Sequence, residues 1–489
     1  MTTDPTSTTT DLTAATHPAA GTEAATHPAA GTEPAVTTDP VVTTDPAAAT
    51  DPTVTADPAV IADPAVTTDP VVTVDPAAAT NPAVATDPAL TARPLRRARR
   101  DVGAAPFIVI WEATRACPLA CLHCRAEARP DRHPGELSTH EARELMRQVA
   151  AFGRPAPLFV ITGGDPFERP DLFDLVRYGR ELGLAPSVSP SATPALTPAN
   201  LSRLHEAGAA AISLSVDAAT AARHDEFRGY DGVFSRTLAA WRAARQAGLK
   251  VQINTTVTRR NLSQLPDIAR LVRDHGAMLW SVFFLVPTGR GRALAALSPQ
   301  EAEDVLHFVH DLGTVVPVKT TEAHHFRRVA VQRLILAEHG ADHAAELGLG
   351  PLYRDLRRRA RRAGLIRERR TRRPPIDVNA GRGLVFVSHT GSVHPSGFLP
   401  VACGDVRERP LTEIYRNAPL FRALRDPGRL SGRCGACEFR AVCGGSRSRA
   451  YACTGDVFAE EPWCGYQPGS FPYQRELTSY LPQEEARER

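Results

Sequence analysis

From about Pro106 onward, apolar runs of strand length alternate with segments in which apolar residues recur at helical spacing. The apolar runs lie at residues 107–111, 158–162, 211–215, 251–255 and 279–284. The helical segments lie between or after them, at residues 138–152, 171–182, 198–207, 233–247 and 261–275. A capping box of Ser138 and Glu141 predicts the start of the first helix. Repeated strand–helix units predict an α/β fold with a parallel sheet, open or rolled into a full or partial barrel, and functional loops at the carboxyl ends of its strands.

Residues 1–93 lack this alternation. A ten-residue segment that begins at Ala14 is repeated from Ala24, and prolines then recur about every six residues, most of them after Asp or Asn. Proline removes a backbone donor and favours extended backbone, so the composition predicts a disordered, polyproline-like tail. A hexapeptide β-helix is the alternative, but the prolines argue against its hydrogen-bond ladder. The basic residues that follow, within 94–105, predict a solvated linker, with a docking patch as the alternative.

Composition narrows the class of protein. The chain has 489 residues and a formal charge of +3, too small to indicate nucleic acid or a membrane surface as a partner. Nine clustered cysteines do not fit a disulfide-stapled secreted module, and no run of about 18 apolar residues predicts a membrane span. We therefore expect a cytoplasmic protein whose thiols stay reduced.

Three cysteines follow the first predicted strand: Cys117, Cys121 and Cys124. Thiolates at this spacing can fill three of the four iron positions of a [4Fe–4S] cluster and leave one iron open for a ligand that is not protein. A structural cluster normally has four thiolates. A fragment of a zinc site is the alternative, although zinc prefers four ligands, usually in CxxC pairs.

The cysteine motif, together with residues 162–166 (Thr-Gly-Gly-Asp-Pro) after the second strand and residues 213–217 (Ser-Leu-Ser-Val-Asp) at a later strand end, resembles the radical S-adenosylmethionine (SAM) superfamily. The resemblance covers about residues 106–310 and implies a partial (β/α)6 barrel. It also implies that Cys117, Cys121 and Cys124 hold a [4Fe–4S] cluster whose open iron binds SAM. Reductive cleavage of SAM would then give a 5′-deoxyadenosyl radical that abstracts hydrogen from a substrate.

The same resemblance assigns further residues to the cofactor. The residues implied to contact SAM are His123, Gly163, Gly164, Asp165, Pro166, Ser215 and Arg228. Each assignment has a structural alternative. His123 could be a surface imidazole and residues 163–166 an ordinary turn, while Ser215 could cap a helix and Arg228 could form a loop salt bridge. Residues 287–291 are expected near the adenine. No general acid or base can be assigned from the sequence.

The cysteine-rich end resembles the SPASM or twitch extension of the same superfamily. The resemblance implies one auxiliary iron–sulfur cluster of the [4Fe–4S] type, and its expected ligands are Cys434, Cys437, Cys443 and Cys464. A zinc ribbon is the alternative. Ser396 and Asn379 stand near positions where a complete extension has cysteines, and Cys403 and Cys453 are unassigned, so we expect one auxiliary cluster only. The segments around residues 396–400 and 443–449 look closest to the branch that modifies haem, in haem d1 maturation and siroheme decarboxylation, and to mycofactocin-type peptide maturases.

These expectations divide the chain into consecutive parts. They are a disordered tail (1–93), a basic linker (94–105), the radical SAM barrel (106–320), an Arg-rich helical connector (321–374), the auxiliary-cluster domain (375–470) and a C-terminal tail (471–489). Eleven arginines between Arg354 and Arg373 could recruit a tetrapyrrole or an acidic peptide, or form a solvated basic surface. His324 and His325 could ligate haem iron or lie at the surface.

The expected function is radical chemistry on a modified tetrapyrrole, with the removal or decarboxylation of side chains. A ribosomal peptide is the alternative substrate. A flavodoxin- or ferredoxin-like protein is the expected electron donor. A zinc-stabilised binding protein without catalysis is the alternative from another class.

Overall fold

Strands and helices alternate through the first two thirds of the folded region, as the apolar pattern predicts. The computed structural model describes residues 94–96, 101–367 and 373–481, so the predicted disordered tail and residues 97–100 of the basic linker lie outside the described residues. The strands are β1 Ile108–Thr114, β2 Leu158–Gly163, β3 Pro186–Val188, β4 Ala211–Ser215, β5 Lys250–Val257, β6 Leu279–Phe284, β7 Val318–Thr321, β8 Asn379–Ala380, β9 Gly383–Val387, β10 Ser392–His394 and β11 Gly404–Asp405.

The helices of the barrel region follow its strands. They are α1 Thr139–Ala150, α2 Leu172–Glu181, α3 Pro198–Glu206, α4 Ala221–Arg228, α5 Val233–Gln246, α6 Leu265–Asp274 and α7 Pro299–Leu312. The later helices are α8 Phe326–Glu338, α9 His343–Glu346, α10 Pro351–Arg362, α11 Leu411–Asn417, α12 Pro419–Leu424, α13 Gly432–Ala436, α14 Arg447–Thr454 and α15 Gln474–Tyr480.

One sheet runs through the described residues in the order β11-β10-β9-β1-β2-β3-β4-β5-β6-β7, and β8 pairs with β9. Neighbouring strands from β1 to β7 are parallel, as the strand–helix alternation requires. The path ends at β7 on one side and β11 on the other, so the first six strand–helix units form a partial barrel with an open side. This is the (β/α)6 architecture expected from the sequence.

The amphipathic pattern explains which face of each element is buried. Helix α1 begins at the predicted capping box, where Ser138 accepts from the Glu141 amide and Glu141 accepts from the Ser138 amide. Its apolar side chains, among them Leu145 and Val149, are fully buried against the sheet. In β1, alternate residues such as Trp111 join the same core, so the intervening side chains point to the inner face of the barrel.

Strands β3 and β7 are not among the predicted strands. β3 has three residues and starts with a proline, and β7 reads Val-Lys-Thr-Thr, so neither carries the apolar run that identifies a buried strand. These two strands form because neighbouring strands pair with them, although their own sequences carry no strand signal.

The C-terminal region extends the same sheet. Strand β9 pairs in parallel with β1, in the register Ile108↔Leu384 to Trp111↔Val387, and β10 continues antiparallel to β9. The described residues belong to one compact unit. The expected boundary of the auxiliary-cluster domain at residue 375 stays a prediction, and the barrel sheet continues past it through the pairing of β9 with β1.

No helix among the described residues is both long and apolar enough to span a bilayer.

Candidate functional site

The three-cysteine loop leaves the carboxyl end of β1, where functional loops of parallel strands gather. Cys117 and Cys121 are buried and Cys124 is half-buried. Backbone amides point at two of the sulfurs: the Leu119 amide lies 3.4 Å from Cys117 Sγ and the Ala128 amide 3.5 Å from Cys124 Sγ. Amide donors of this kind stabilise thiolate ligands of iron–sulfur clusters, so the loop fits the expected cluster.

Burial favours the thiol form of Cys117 while the loop has no metal. Loss of solvation raises the pKa of Cys117 to about 11. Because thiolates are the ligands, binding of a metal centre here must release protons.

The segment after β6 holds this loop in place. Arg290 Nε donates to Cys121 O at 2.8 Å, and the Arg290 amide donates to Cys124 O at 3.1 Å. A Cβ on Gly289 would lie 2.4 Å from Cys124 O, which explains the glycine. Residues 287–291, expected near the adenine, thus contact the cysteine loop directly. Sequence reasoning did not single out Arg290 for this role.

Gly163 and Gly164 allow β2 to end against the backbone that enters the cysteine loop. A Cβ on Gly163 would lie 2.2 Å from Thr114 O, and one on Gly164 would lie 2.2 Å from Ala116 O. Gly163 also has a φ of +151°, which side-chain-bearing residues rarely adopt. Glycine is therefore required at both positions, first of all, because the backbone of β2 packs too closely against the end of β1 to leave room for a Cβ.

Both glycines also line a cavity of about 140 Å³ at the carboxyl ends of the strands. Ser215 and Arg228 line the same cavity, together with Leu119 from the cysteine loop. The structure thus brings four of the predicted SAM-contacting residues to one space beside the three cysteines.

Asp165 and Pro166 do not line this cavity. Asp165 is fully buried and accepts from Thr193 Oγ1 at 2.7 Å and from the amides of Phe167 and Ser191 at 3.2 and 3.4 Å. Burial raises the pKa of Asp165 to about 6. Pro166 begins a short 3-10 turn. These two residues shape the loop that carries the glycines.

Arg228 forms a buried ion pair with Asp217, and its Nη1 lies 3.8 Å from Cys121 Sγ. Burial alone would raise the pKa of Asp217, but the Arg228 guanidinium holds it below its usual value. Asp217 also accepts from the Thr256 amide at 2.7 Å, so it is not a helix cap. The pair joins β4, β5 and the cysteine loop.

His123 is half-buried and stacks on Phe227, with ring centroids 4.6 Å apart. Burial lowers its pKa to about 4, so the imidazole is neutral at pH 7. His123 is therefore not a freely solvated surface imidazole.

The four C-terminal cysteines line a second cavity: Cys434, Cys437, Cys443 and Cys464. The Glu461 amide lies 3.3 Å from Cys434 Sγ and the Gly445 amide 3.5 Å from Cys443 Sγ. Two guanidinium groups are also close, with Arg447 Nη2 at 3.8 Å from Cys434 Sγ and Arg328 Nη2 at 3.9 Å from Cys464 Sγ.

Several buried donors around this second cavity have no hydrogen-bond partner among the described residues. His325, fully buried, lines the cavity and has both ring nitrogens unpartnered, and Nε of Arg328 and Nε of Arg447 are unpartnered too. Orphaned buried donors are costly, so they fit a site that holds a group rich in acceptors, such as the sulfurs of a cluster.

In the described ranges, no three His, Cys, Asp or Glu side chains converge closely enough for a single metal ion. A mononuclear zinc ion would need its sulfur ligands at about 2.3 Å from one point.

The unassigned cysteines stay apart from both cavities. Cys403 Sγ lies 3.7 Å from Val401 O, and Cys453 is exposed on α14. Ser396 donates to Glu322 at 3.0 Å, and Asn379 Nδ2 donates to Gly445 O at 3.0 Å. Ser396 and Asn379, which stand near positions where a complete extension has cysteines, thus form ordinary hydrogen bonds.

Two buried polar groups join the barrel to the second cavity, and sequence reasoning missed both. Arg449 is fully buried, pairs with Glu461 at 2.9 Å and donates to the carbonyls of Phe284 and Leu285. Glu322 accepts from three serine hydroxyls, those of Ser396, Ser446 and Ser448. The sequence signal for Arg449 was segment 443–449, which was compared with haem-modifying relatives but given no structural role.

A similar pair lies beside the first site. Arg125, directly after Cys124, pairs with Glu112 at 3.0 Å, and His389 binds the other Glu112 oxygen at 2.8 Å. In the Arg-rich connector, Arg359 pairs with Asp267 and Arg357 with Asp311, so part of this segment packs against barrel helices. Residues 368–372 of the connector lie outside the described residues.

Comparison with known proteins agrees with this site. The profile of the Radical SAM superfamily matches residues 111–272. The chain is 39% identical over 367 residues to the AdoMet-dependent heme synthase of Methanosarcina barkeri, covering 75% of this chain and 98% of that protein. It is 31% identical to the pre-heme d1 synthase of Dinoroseobacter shibae (73% and 85% covered) and 29% identical to the mycofactocin maturase MftC of Mycobacterium ulcerans (76% and 91% covered).

Among solved structures, Streptococcus suis SuiB bound to S-adenosylmethionine has the same fold, with a TM-score of 0.53 at 15% identity over 74% of this chain and 78% of that one. The chain belongs to the radical SAM superfamily. It is an enzyme that uses a [4Fe–4S] cluster and SAM, and its relatives include proteins named for tetrapyrrole and for peptide maturation, as the sequence predicted.

Proposed function

We propose that this radical SAM enzyme acts on an iron porphyrin and converts propionate side chains to vinyl groups by oxidative decarboxylation. The single observation that supports this most is the 39% identity to a protein named AdoMet-dependent heme synthase along nearly its whole length. The pre-heme d1 synthase at 31% identity supports a tetrapyrrole substrate as well.

We assign the cluster ligands and SAM contacts from the geometry of the first site. Cys117, Cys121 and Cys124 would hold the [4Fe–4S] cluster. Gly163, Gly164, Ser215 and Arg228 would contact SAM in the adjoining cavity. His123, Asp165 and Pro166 would position the loops around it.

When bound, the cluster and SAM supply a 5′-deoxyadenosyl radical, which abstracts one hydrogen atom from the substrate. Loss of that hydrogen atom and of CO2 turns a –CH2–CH2–COO⁻ side chain into –CH=CH2 and leaves one electron over. The chain's own task is to place the propionate at the mouth of the cavity and to keep water from the radical.

We assign one auxiliary iron–sulfur cluster to Cys434, Cys437, Cys443 and Cys464. Four thiolates saturate its irons, so it would serve as a one-electron acceptor and would not bind SAM. The orphaned donors of His325, Arg328 and Arg447 support a sulfur-rich group in this cavity.

A small flavodoxin- or ferredoxin-like protein is the proposed source of the electron that cleaves SAM. None of the nine cysteines, all of which the structure describes, forms a disulfide, which supports a reducing compartment such as the cytoplasm. The second candidate substrate is a ribosomal peptide, and the identity to a mycofactocin maturase is the observation that favours it.

The test is turnover by the anaerobically reconstituted enzyme with SAM, a reductant and one candidate substrate. An iron porphyrin that carries propionates should give 5′-deoxyadenosine coupled to a product lighter by one CO2 and two hydrogens per side chain. Uncoupled SAM cleavage without substrate sets the background. Coupling with peptide alone would overturn the porphyrin proposal.

A further inference from the structure

Lysine is almost absent from this chain. Of the 57 lysine and arginine residues, two are lysines, Lys250 and Lys319. Lys250 is exposed at the first position of β5, whereas Lys319 is half-buried in the middle of β7. Arginine supplies nearly every other cationic side chain of this protein, whereas Lys319 places an ammonium within the sheet.

Strand register shows which face of the sheet Lys319 occupies. Leu214, Ile253, Trp280 and Val318 lie in register on β4 to β7 and belong to the core between the sheet and the helices. Because side chains alternate along a strand, the residues that follow them point to the opposite, inner face. Those residues are Ser215, Asn254, Ser281 and Lys319.

This inner row links Lys319 to the first site. Ser215, at one end of the row, lines the cavity that contains Gly163, Gly164 and Arg228. Between Ser215 and Lys319 stand a neutral amide and a neutral hydroxyl. The row therefore runs from the cofactor cavity along the inner face to the Lys319 ammonium.

The Lys319 ammonium has no hydrogen-bond or ion-pair partner among the residues that the structure describes. Burial, and to a smaller extent the positive charge of Arg373, lowers its pKa to about 8. An ammonium that has lost solvation and gained no counter-ion is stabilised by an anion placed beside it.

Other cations near the first site are already engaged. Arg125 pairs with Glu112, Arg228 pairs with Asp217, and Arg290 donates to backbone carbonyls of the cysteine loop. Lys319 thus differs from these three in having its charge available to a ligand.

We propose that Lys319 binds a carboxylate of the substrate on the inner face of the barrel and so fixes which side chain meets the cofactor cavity. This inference rests on the proposed porphyrin substrate, whose propionates supply the carboxylate. An ammonium binds a carboxylate as a point charge with three donors and tolerates different approach directions, as a substrate that presents successive propionates requires. Lys319 is a specificity-determining residue in this role.

The first experiment measures equilibrium binding of an iron porphyrin with four propionates to the reconstituted full-length enzyme with SAM and without reductant. Lys319→Met should raise the dissociation constant roughly 10- to 100-fold, the range expected for one hydrogen bond to a charged group. The matched control, Lys250→Met, should leave it within about twofold, since an exposed charge contributes little. The methyl ester of the same porphyrin should bind wild type and Lys319→Met alike.

SAM binding and uncoupled release of 5′-deoxyadenosine should stay unchanged in Lys319→Met. Porphyrin affinity equal to wild type, or a loss of SAM binding instead, would overturn the inference. If wild type itself binds no porphyrin, the proposed function fails first, and the two failures are thereby distinguished.

A second measurement needs no substitution. Reductive methylation with ¹³C-formaldehyde keeps the charge of both lysines and gives two lysine resonances, which Lys250→Met assigns. Only the Lys319 resonance should shift when the porphyrin is added. A shift of neither resonance, under conditions where the porphyrin is bound, would also overturn the inference.

Discussion

The two cysteine sites of this protein are built in different ways. The first takes its three cysteines from one short loop, fixed by Arg290 and by the strand end at Gly163, and it opens onto a cavity. The second gathers four cysteines from a stretch of about thirty residues (434–464), surrounded by guanidinium groups and buried donors. An open set of three suits a cluster that must bind a cofactor, and a closed set of four suits one that moves electrons.

Charge differs between the sites as well. The Arg228 guanidinium, which lies 3.8 Å from Cys121 Sγ, is balanced by Asp217. Near Cys434, Arg447 donates to carbonyl oxygens and to sulfur and has no carboxylate partner in the part of the chain that the structure describes. Uncompensated positive charge favours the reduced, more negative state of a cluster, which is consistent with the electron acceptor that we propose.

The largest expected effect separates the sites by cysteine substitution. Cys117→Ala should abolish SAM cleavage, because the open-iron cluster loses a ligand. Cys437→Ala should retain uncoupled 5′-deoxyadenosine formation while product formation is lost. Iron content, the electron-spin signal after reduction and both products would be measured on each variant. Loss of SAM cleavage in both variants would contradict this division of roles.

The next effect concerns the ion pair that joins the barrel to the second site. Arg449→Met leaves Glu461 buried without its partner, so the free energy of unfolding should fall by about 3–5 kcal/mol. The exposed pair of Arg259 and Glu301 offers a control, because Arg259→Met should cost about 1 kcal/mol or less. Chemical denaturation of both variants would measure the difference. Equal costs would show that the buried pair does not join the two regions.

A third effect is pH dependence of opposite sign in the two regions. The folded-state pKa of Asp165, about 6, lies above its usual 3.8, so the stability that its neutral form contributes is present below pH 3.8 and is lost as pH rises through 6. Asp165→Asn does not titrate. Relative to wild type, its free energy of unfolding should therefore rise between pH 4 and 6 by up to about 1.4 kcal/mol per pH unit.

Glu461 provides the contrast. Burial would raise its pKa, but the Arg449 guanidinium holds it below the usual value, so its contribution is present above pH 4.5 and is lost as pH falls. Above pH 4.5, Glu461→Gln should therefore have a lower free energy of unfolding than wild type. This difference should shrink as pH falls. Denaturation series over pH 3–7 for both variants check the signs, and parallel trends would refute the assignment.

The smallest expected effect tests the SAM cavity. Arg228→Lys keeps a positive charge for Asp217 but loses the planar fork, so SAM affinity should fall about tenfold. The electron-spin signal of the second site should not change. Unaltered SAM affinity would assign Arg228 a purely structural role beside Cys121.

The barrel was largely predictable because its strands and helices have local signals. Strand 211–215 and helix 198–207 agree with the structure to within one residue, since each is bounded by a turn and has a clear period. Strands β3 and β7 were not predictable from the sequence, because their formation depends on pairing with neighbouring strands. The same holds for Asp165, whose side chain organises a loop instead of facing the cavity.

The sequence by itself determined the cysteine spacing, the strand–helix order and, through them, the superfamily, because ligand spacing and apolar period are properties of short segments. Only the tertiary structure decided that β9 continues the barrel sheet, that Arg449 joins β6 to the second site and that Lys319 faces inward without a partner. These facts depend on contacts between residues far apart in the chain, and such contacts leave no local pattern to read.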